Sequence, residues 1–192
     1  LLPLPDYRER AREAINRIKA RLIEKGLDKY AERATVSLPE ILKFDPAETL
    51  LIIPCTREKV WENDPGAPDF VPARYAYRGK RFYDFRLWAE ENQIEKKGFF
   101  WVILSGKYGF IEPWAPIGRY EVSLSDQRDF SISAETLKNQ VKQKRWWRTG
   151  PESLVEKRIA DYKSVILINC SNLHQDRIKE AFPEAHYHEA NS

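Results

Sequence analysis

The sequence predicts a single α/β domain with a mostly parallel sheet flanked by helices and a long helix at its amino end. Three observations carry this expectation. The runs Leu50 to Ile53, Phe99 to Leu104 and Val165 to Asn169 are four to six residues long and almost wholly apolar, as befits strands covered on both faces. Stretches of ten or more residues at helical spacing separate them. Each run also stops on small polar residues: Pro54-Cys55-Thr56, Ser105-Gly106-Lys107 and Cys170-Ser171-Asn172. In a parallel sheet, ligands sit beyond the carboxyl ends of the strands, where these triplets fall.

In chain order, residues 6–33 carry Tyr7, Ala11, Ala14, Ile15, Ile18, Leu22 and Ile23 at three-or-four spacing, the stripe of an amphipathic helix. Asp6 is its expected N-cap and Gly26 its stop. "SLPEILKFDPAE" reads as a turn-rich connector with one short helix before the first strand. The loop "ENDPGAPDFVPARYAYRG" is rich in Pro, Gly and Asp and long for a compact domain. A helix is expected from Arg81 to Glu95, with Phe82, Phe85, Leu87, Trp88 and Ala89 on its apolar side. "IEPWAPIGRYEVSLSD" reads as a loop entering an extended segment. Residues 134–148 are expected as a basic helix, 151–162 as another and Leu173 to Ala181 as the last, before a terminal strand at "AHYHEA". The expected domain is 1–192, with 1–45 a helical extension and 46–192 the core.

Composition narrows the classes. A chain of 192 residues, 42% hydrophobic and 32% charged, buries a real core and is not a disordered polymer. No apolar run approaches the roughly 20 residues of a membrane-spanning helix, and "LLPLPDYRER" is too short in its apolar part for a signal peptide. The absence of methionine, even at position 1, is what an excised chain would show. Abundant Lys, Arg and Glu with no Met also suit a thermophilic source. The two cysteines, Cys55 and Cys170, form no disulfide framework, which points to a reducing, cytoplasmic compartment. A net charge of +3 permits contact with nucleic acid without demanding it.

Several residues are candidates for chemistry. Lys59 follows the first strand closely enough to reach back into a cleft, where desolvation and the neighbouring cations Arg57 and Lys107 would lower its pKa and free its amine. On spacing alone it reads more readily as a solvated lysine in a charged loop. Cys55 is a second candidate nucleophile. No histidine lies near it in sequence, and a thiol ending a buried strand also packs as a small core residue. Ser105-Gly106-Lys107-Tyr108-Gly109 could cradle an anion with backbone amides or simply turn tightly, but it is not a Walker motif. His186 and His188 alternate on the terminal strand without a third ligand, so no metal is called for. In "KNQVKQKRWWRTG", Lys138, Lys142, Lys144, Arg145, Trp146, Trp147 and Arg148 combine cations with aromatics. That mixture suits phosphates and stacked bases, or a basic helix docking its tryptophans into the core.

Pro54, Cys55 and Lys59, followed later by Ser105, Gly109-Phe110-Ile111, Pro113 and Tyr120-Glu121-Val122, resemble the catalytic domain of archaeosine synthase. That family conjugates a nitrile-bearing deazaguanine base in transfer RNA, with its motif lysine as the attacking group. The chain is also similar to a broader set of small bacterial, archaeal and phage proteins sharing "IPCT…K", a "LYTG"-like stretch and "LSAKYG". "ARYAYRGKRF" and "LSGKYGFIEP" are nearer to that set. The resemblance spans residues 50–125 and the strand at 165–172. Val60, Trp61 and Glu62 stand where the synthase has Pro-Tyr and a Ser-x-Ser-His group.

The resemblance implies an enzyme acting on a deazaguanine-type base or nucleotide, a base-modifying transferase. Lys59 would be its nucleophile or polarising cation, and Cys55 and Ser105 would complete the catalytic set. Thr56, Tyr75, Lys107, Tyr108, Tyr120 and Asn169 would bind substrate, Tyr75 and Tyr120 by stacking. The expected partners are a small-molecule base or nucleotide and the transfer RNA or DNA that carries it, with no cofactor, metal or membrane. Two alternatives stand beside this. One is a non-catalytic nucleic-acid-associated module using Lys142, Lys144, Arg145, Trp146 and Arg148. The other is a nucleotide hydrolase or glycosyl-transfer enzyme, which needs a carboxylate such as Glu112 or Asp126 facing the cleft.

Overall fold

The computed structural model describes residues 38–122, 124, 131–148 and 154–190. The helix expected over 6–33 and most of the 1–45 extension lie outside the described residues. Those described belong to one compact unit, Val36–Ser192. After a 3-10 turn at Pro39–Lys43, the chain runs through β1 (Thr49–Pro54), α1 (Val60–Asn63), β2 (Phe70–Pro72), α2 (Ala73–Ala76) and α3 (Lys80–Glu91). It continues with β3 (Phe100–Ser105), β4 (Gly109–Ile111), β5 (Pro116–Gly118), α4 (Ala134–Lys142) and β6 (Lys144–Arg148). The remainder is β7 (Leu154–Arg158), a 3-10 turn at Ile159–Asp161, β8 (Ser164–Ile168), α5 (Asn172–Ala181) and β9 (His186–Ala190).

The main sheet has the order β4-β3-β1-β8-β9. Strands β3, β1, β8 and β9 are parallel, and β4 is antiparallel at the edge. The three apolar runs are therefore parallel neighbours, with Ile52 beside Val102 on one flank and Leu167 on the other.

All six residues of β1 are buried, and their alternation assigns them to two cores. Leu51, Ile53, Trp101, Ile103, Ile166 and Ile168 pack with Phe82, Phe85 and Ala89 of α3. Leu50, Ile52, Val102, Leu104, Val165 and Leu167 pack on the opposite face with Leu137 and Val141 of α4, and with Ile178 and Ala181 of α5. Helices thus cover both faces, which is why these strands carry no polar face. From β1 the chain goes to β3 on one side and later returns to β8 on the other. The strand order thus reverses between β1 and β8, and in open α/β sheets such a reversal is where ligands bind at the carboxyl edge.

Four expectations are corrected. The helix expected over 134–148 ends at Lys142, and Gln143 is extended with φ −75° and ψ 138°. Residues 144–148 form β6, paired antiparallel with β7, where a helix was expected over 151–162. Period-two geometry explains the outcome, because it sends adjacent tryptophans to opposite faces. Trp147 enters the core against Phe100 and Tyr162, while Trp146 stays 59% exposed. The long loop of 62–79 is also more ordered than its composition implied. It holds β2, which pairs with β5, and the short helix α2. The helix expected to reach Glu95 stops at Glu91, and Gln93 turns with φ 51°. Among the described residues, no helix is long and apolar enough to cross a membrane.

Edge strand β4 is held by side chains of its neighbours. Gln140 accepts from the Phe110 amide and donates to the Tyr108 carbonyl, both at 2.8 Å, and the Arg145 guanidinium donates to the Phe110 carbonyl at 2.7 Å. Gly109 permits this approach, since its φ is +72° and a Cβ there would overlap the Gln140 carboxamide. Gly109→Ala is expected to destabilise the fold by about 2–4 kcal/mol through overlap and left-handed strain, read as a lowered urea midpoint. A loss below about 1 kcal/mol would show that Gln140 swings aside freely.

Candidate functional site

The site forms where β1 ends between its two parallel neighbours. The Cys55 amide donates to the Leu104 carbonyl at 2.9 Å, so the β1–β3 ladder runs one residue past Pro54 before the chain turns. The following segment is tied to the chain that enters α3. Thr56 Oγ1 donates to the Glu58 carbonyl at 3.0 Å and accepts from the Gly79 amide at 3.1 Å. The Arg78 amide donates to the Glu58 carbonyl at 2.9 Å, and Lys59 and Tyr77 form an antiparallel bridge. Val60 and Trp61 then bury themselves in α1, drawing Lys59 inside with them.

Lys59 is only 4% exposed. Its Nζ donates to the Arg57 carbonyl at 3.0 Å and lies 4.4 Å from the centre of the Tyr120 ring. Among the described residues, no carboxylate lies within ion-pair distance of it. Burial holds its pKa below the usual lysine range. Cys55, Glu62 and Glu121 oppose that shift, and Arg57 adds to it. Desolvation is the larger of the two lowering effects expected from the sequence, and the neighbouring cation Arg57 the smaller.

Tyr120 is the hub of the polar cluster. Its hydroxyl lies 2.8 Å from Ser105 Oγ and 2.5 Å from the Tyr77 hydroxyl. Ser105 is fully buried and also accepts from the Lys107 and Tyr108 amides, each at 3.2 Å. Those two amides are therefore spent on Ser105, and the loop after β3 is a side-chain-closed turn in which they do not face an anion. Tyr108 sets its ring edge-on to Tyr120 at 5.2 Å. Lys107 lies over both rings, 5.0 Å from Tyr108 and 5.4 Å from Tyr120. Burial raises the pKa of Tyr120 and of Tyr77, keeping both phenols protonated. Burial also pushes the Cys55 thiol up, against the lowering effects of the Gly106 amide, Lys59 and the Tyr120 hydroxyl.

The sequence-derived candidates separate on this map. Cys55, Lys59, Ser105, Lys107, Tyr108 and Tyr120 converge, and Thr56 braces the loop that carries Lys59. Tyr120 is too enclosed to stack on a base, with Lys59 over its ring and its hydroxyl engaged. Tyr75 faces elsewhere, against Trp114 at 6.0 Å and the Arg86 guanidinium at 5.2 Å. Tyr77, two residues on, is the tyrosine that joins the cluster. It was missed because it is not separated from Tyr75 by any local signal. Asn169 follows β8 with φ 53°, and its backbone amide donates to the Ala190 carbonyl at 3.0 Å. Glu112 lines a groove with Glu95, Phe100 and Trp114 at the amino end of β3, away from Lys59, and Asp126 lies outside the described residues. Beyond β8, burial with Glu189 pushes Cys170 up to about 12, and Ser171 Oγ pairs with His174 Nδ1 at 2.6 Å.

Of the basic stretch, Arg145 is committed to the Phe110 carbonyl and Lys144 pairs with Glu156 at 3.1 Å. Lys142 and Trp146 are exposed. His188 packs on Phe44 at 4.8 Å. Among the described residues, no group of three His, Cys, Asp or Glu side chains could hold a metal ion.

The uncharacterized protein YfjM of Bacillus subtilis (strain 168) is 32% identical over 120 residues, covering 61% of this chain and 73% of YfjM. The chain belongs to the YfjM family. No family model matches it, and no solved structure is similar to it. The name YfjM carries no activity with it.

Gly79 is the tightest contact in the loop brace: a Cβ there would stand 2.5 Å from Thr56 Cγ2. Gly79→Ala is expected to lower the melting temperature, in line with the roughly 1–3 kcal/mol of an overpacked site. Thr56→Ser in the same chain removes Cγ2, keeps the hydroxyl, and should recover part of the loss. No recovery would place the strain elsewhere.

Proposed function

We propose that this chain is an enzyme acting on a modified base or nucleotide of the deazaguanine type, with Lys59 as the attacking amine. One observation carries the reading: a lysine with almost no solvent exposure, at the carboxyl end of the central parallel strand, with no ion-paired carboxylate among the described residues. A lysine there loses the hydration that favours its charged form, and a larger share of it is the free amine at neutral pH. The resemblance of Pro54, Cys55 and Lys59 to the archaeosine-synthase motif supports the same role.

The chemistry balances without a leaving group. The Nζ lone pair adds to the carbon of a nitrile, one carbon–nitrogen π bond breaks, and the nitrile nitrogen takes the proton that Nζ must lose. The product is an amidine joining Lys59 to the base. Because only the neutral amine attacks, the rate rises with pH until the depressed Lys59 is fully deprotonated.

The test is intact-mass spectrometry after incubation with a 7-cyano-7-deazaguanine base. The wild-type chain is expected to gain the whole mass of the ligand. Lys59→Arg should gain nothing, since guanidinium stays protonated. An identical adduct on Lys59→Arg, or none on either protein, removes Lys59 from the nucleophile's role.

A second reading, a nucleic-acid-associated binding module, is favoured by Trp146, exposed on β6 two residues from Lys144. Transfer-RNA binding by such a module weakens steeply from low to moderate salt, because each phosphate contact releases counterions. Trp146→Ala should cost it about 1–3 kcal/mol of affinity through lost base stacking, measured by filter binding. Salt-independent or absent binding ends this reading.

A further inference from the structure

We infer that Lys107 is a phosphate-binding residue, so that the substrate of this site is a nucleotide whose base meets Lys59 while its phosphate meets Lys107. The inference deepens the proposed function and rests on its placing of the base at Lys59.

Two amines converge on one ring. Lys59 Nζ lies 4.4 Å from the centre of the Tyr120 ring, and Lys107 Nζ lies 5.4 Å from the same centre. The lysines follow β1 and β3, which are parallel neighbours, and their nitrogens stand no further apart than those two distances together. Among the described residues, neither amine has a carboxylate at ion-pair distance. Cations gathered at a strand edge without a carboxylate favour an anionic ligand there.

Lys107 is the member of the pair that faces the solvent. Its amine nevertheless lies back over the site, 5.0 Å from the Tyr108 ring centre as well as beside Tyr120. Contacts with aromatic faces hold an ammonium without consuming its three N–H donors. The backbone of the same turn has no donors to spare, because the Lys107 and Tyr108 amides are both spent on Ser105 Oγ. An anion at this edge is therefore met by a side chain, and lysine binds phosphate as a point charge. Of the charged groups acting on Lys59, Arg57 favours an anion, whereas Glu62 and Glu121 oppose one. The preference for phosphate thus falls to Lys107. A free base brings no anion, but its nucleotide carries one beyond the ribose, and base, ribose and phosphate together bridge two amines that share a ring.

The test uses ligands without a nitrile, so no adduct forms and the result does not depend on attack by Lys59. Binding of 7-deazaguanosine and of its 5′-monophosphate to the full chain is measured by calorimetry at low salt. The monophosphate is expected to bind about tenfold more tightly, the order of one hydrogen bond to a charged group, and salt should shrink that ratio. Lys107→Gln should bring the ratio close to one with nucleoside affinity kept, and Lys107→Arg, which keeps the charge, should retain most of it. Lys97→Gln removes the same charge from an exposed lysine ahead of β3, at the far end of that strand, and should leave the ratio unchanged. A trinucleotide with the base at its centre separates the sources of the phosphate: tighter binding than the monophosphate assigns it to a nucleic-acid chain, weaker binding to a free nucleotide. Equal affinity for nucleoside and monophosphate, binding of neither, or a ratio that survives Lys107→Gln would overturn the inference. An adduct on Lys59 without any preference for phosphate would leave the proposed function standing alone.

Discussion

The structure depends on the complete burial of β1. A strand covered on both faces and paired on both edges must satisfy every backbone group within the sheet, and it does so through the parallel ladders with β3 and β8. Each of its side chains goes to one of two cores by the parity of its position. That constraint fixes where the chain regains freedom: after Pro54, at the carboxyl edge, where the helices no longer cover it. The polar residues that follow cannot retreat into the sheet or avoid one another. The cluster of polar side chains at that edge is therefore a consequence of how the central strand is stabilised.

The cluster beyond that edge is organised by distribution of hydrogen bonds. Four hydroxyl or amide groups from β3, its following turn, and the segments ending at Tyr77 and Tyr120 converge on two oxygens, those of Ser105 and Tyr120. In a low-dielectric interior such a chain is worth more when fully satisfied and costs more when broken. The satisfied hydroxyls leave Lys59 as the group with unmet electrostatic demand, held by one carbonyl and one aromatic face. A second charged cluster shows the contrast. Arg74, also buried, meets Glu95 at 2.9 Å and Glu90 at 3.3 Å, and Arg86 shares Glu90 at 3.1 Å. A buried cation with carboxylates holds elements together, whereas Lys59 has no such partner among the described residues.

Much of the sheet was legible in the residues. Leu50 to Ile53, Phe99 to Leu104 and Val165 to Asn169 have no polar face, and only burial on both sides accounts for that. The tail "AHYHEA" was legible as a strand through its alternation. The β6–β7 hairpin was not. "KQKRWWR" carries five good helix formers, its Lys, Gln and Arg residues, against two strand formers, its tryptophans, and β7 is nearly all exposed, so propensity points to a helix and periodicity does not correct it. Its pairing is fixed by Trp147 docking on Phe100 and Tyr162, a contact between residues distant in the chain.

For the site, Cys55, Lys59 and Ser105 were legible because they lie within a few residues of strand ends, and strand position alone locates such residues. Tyr77 and Tyr120 were beyond that logic. Nothing local tells Tyr75 from Tyr77, and the choice is made by the Lys59–Tyr77 bridge and by β2 pairing with β5. By itself the sequence determined the strands, their common carboxyl edge and the lysine just past it, since all three follow from short-range hydrophobic pattern. The tertiary structure alone decided that Lys59 is buried without an ion-paired carboxylate among the described residues, that Tyr120 underlies it, and that Arg145 and Trp147 turn inward. Desolvation and pairing are properties of what surrounds a side chain, and the neighbours that supply them here come from segments far apart in the chain.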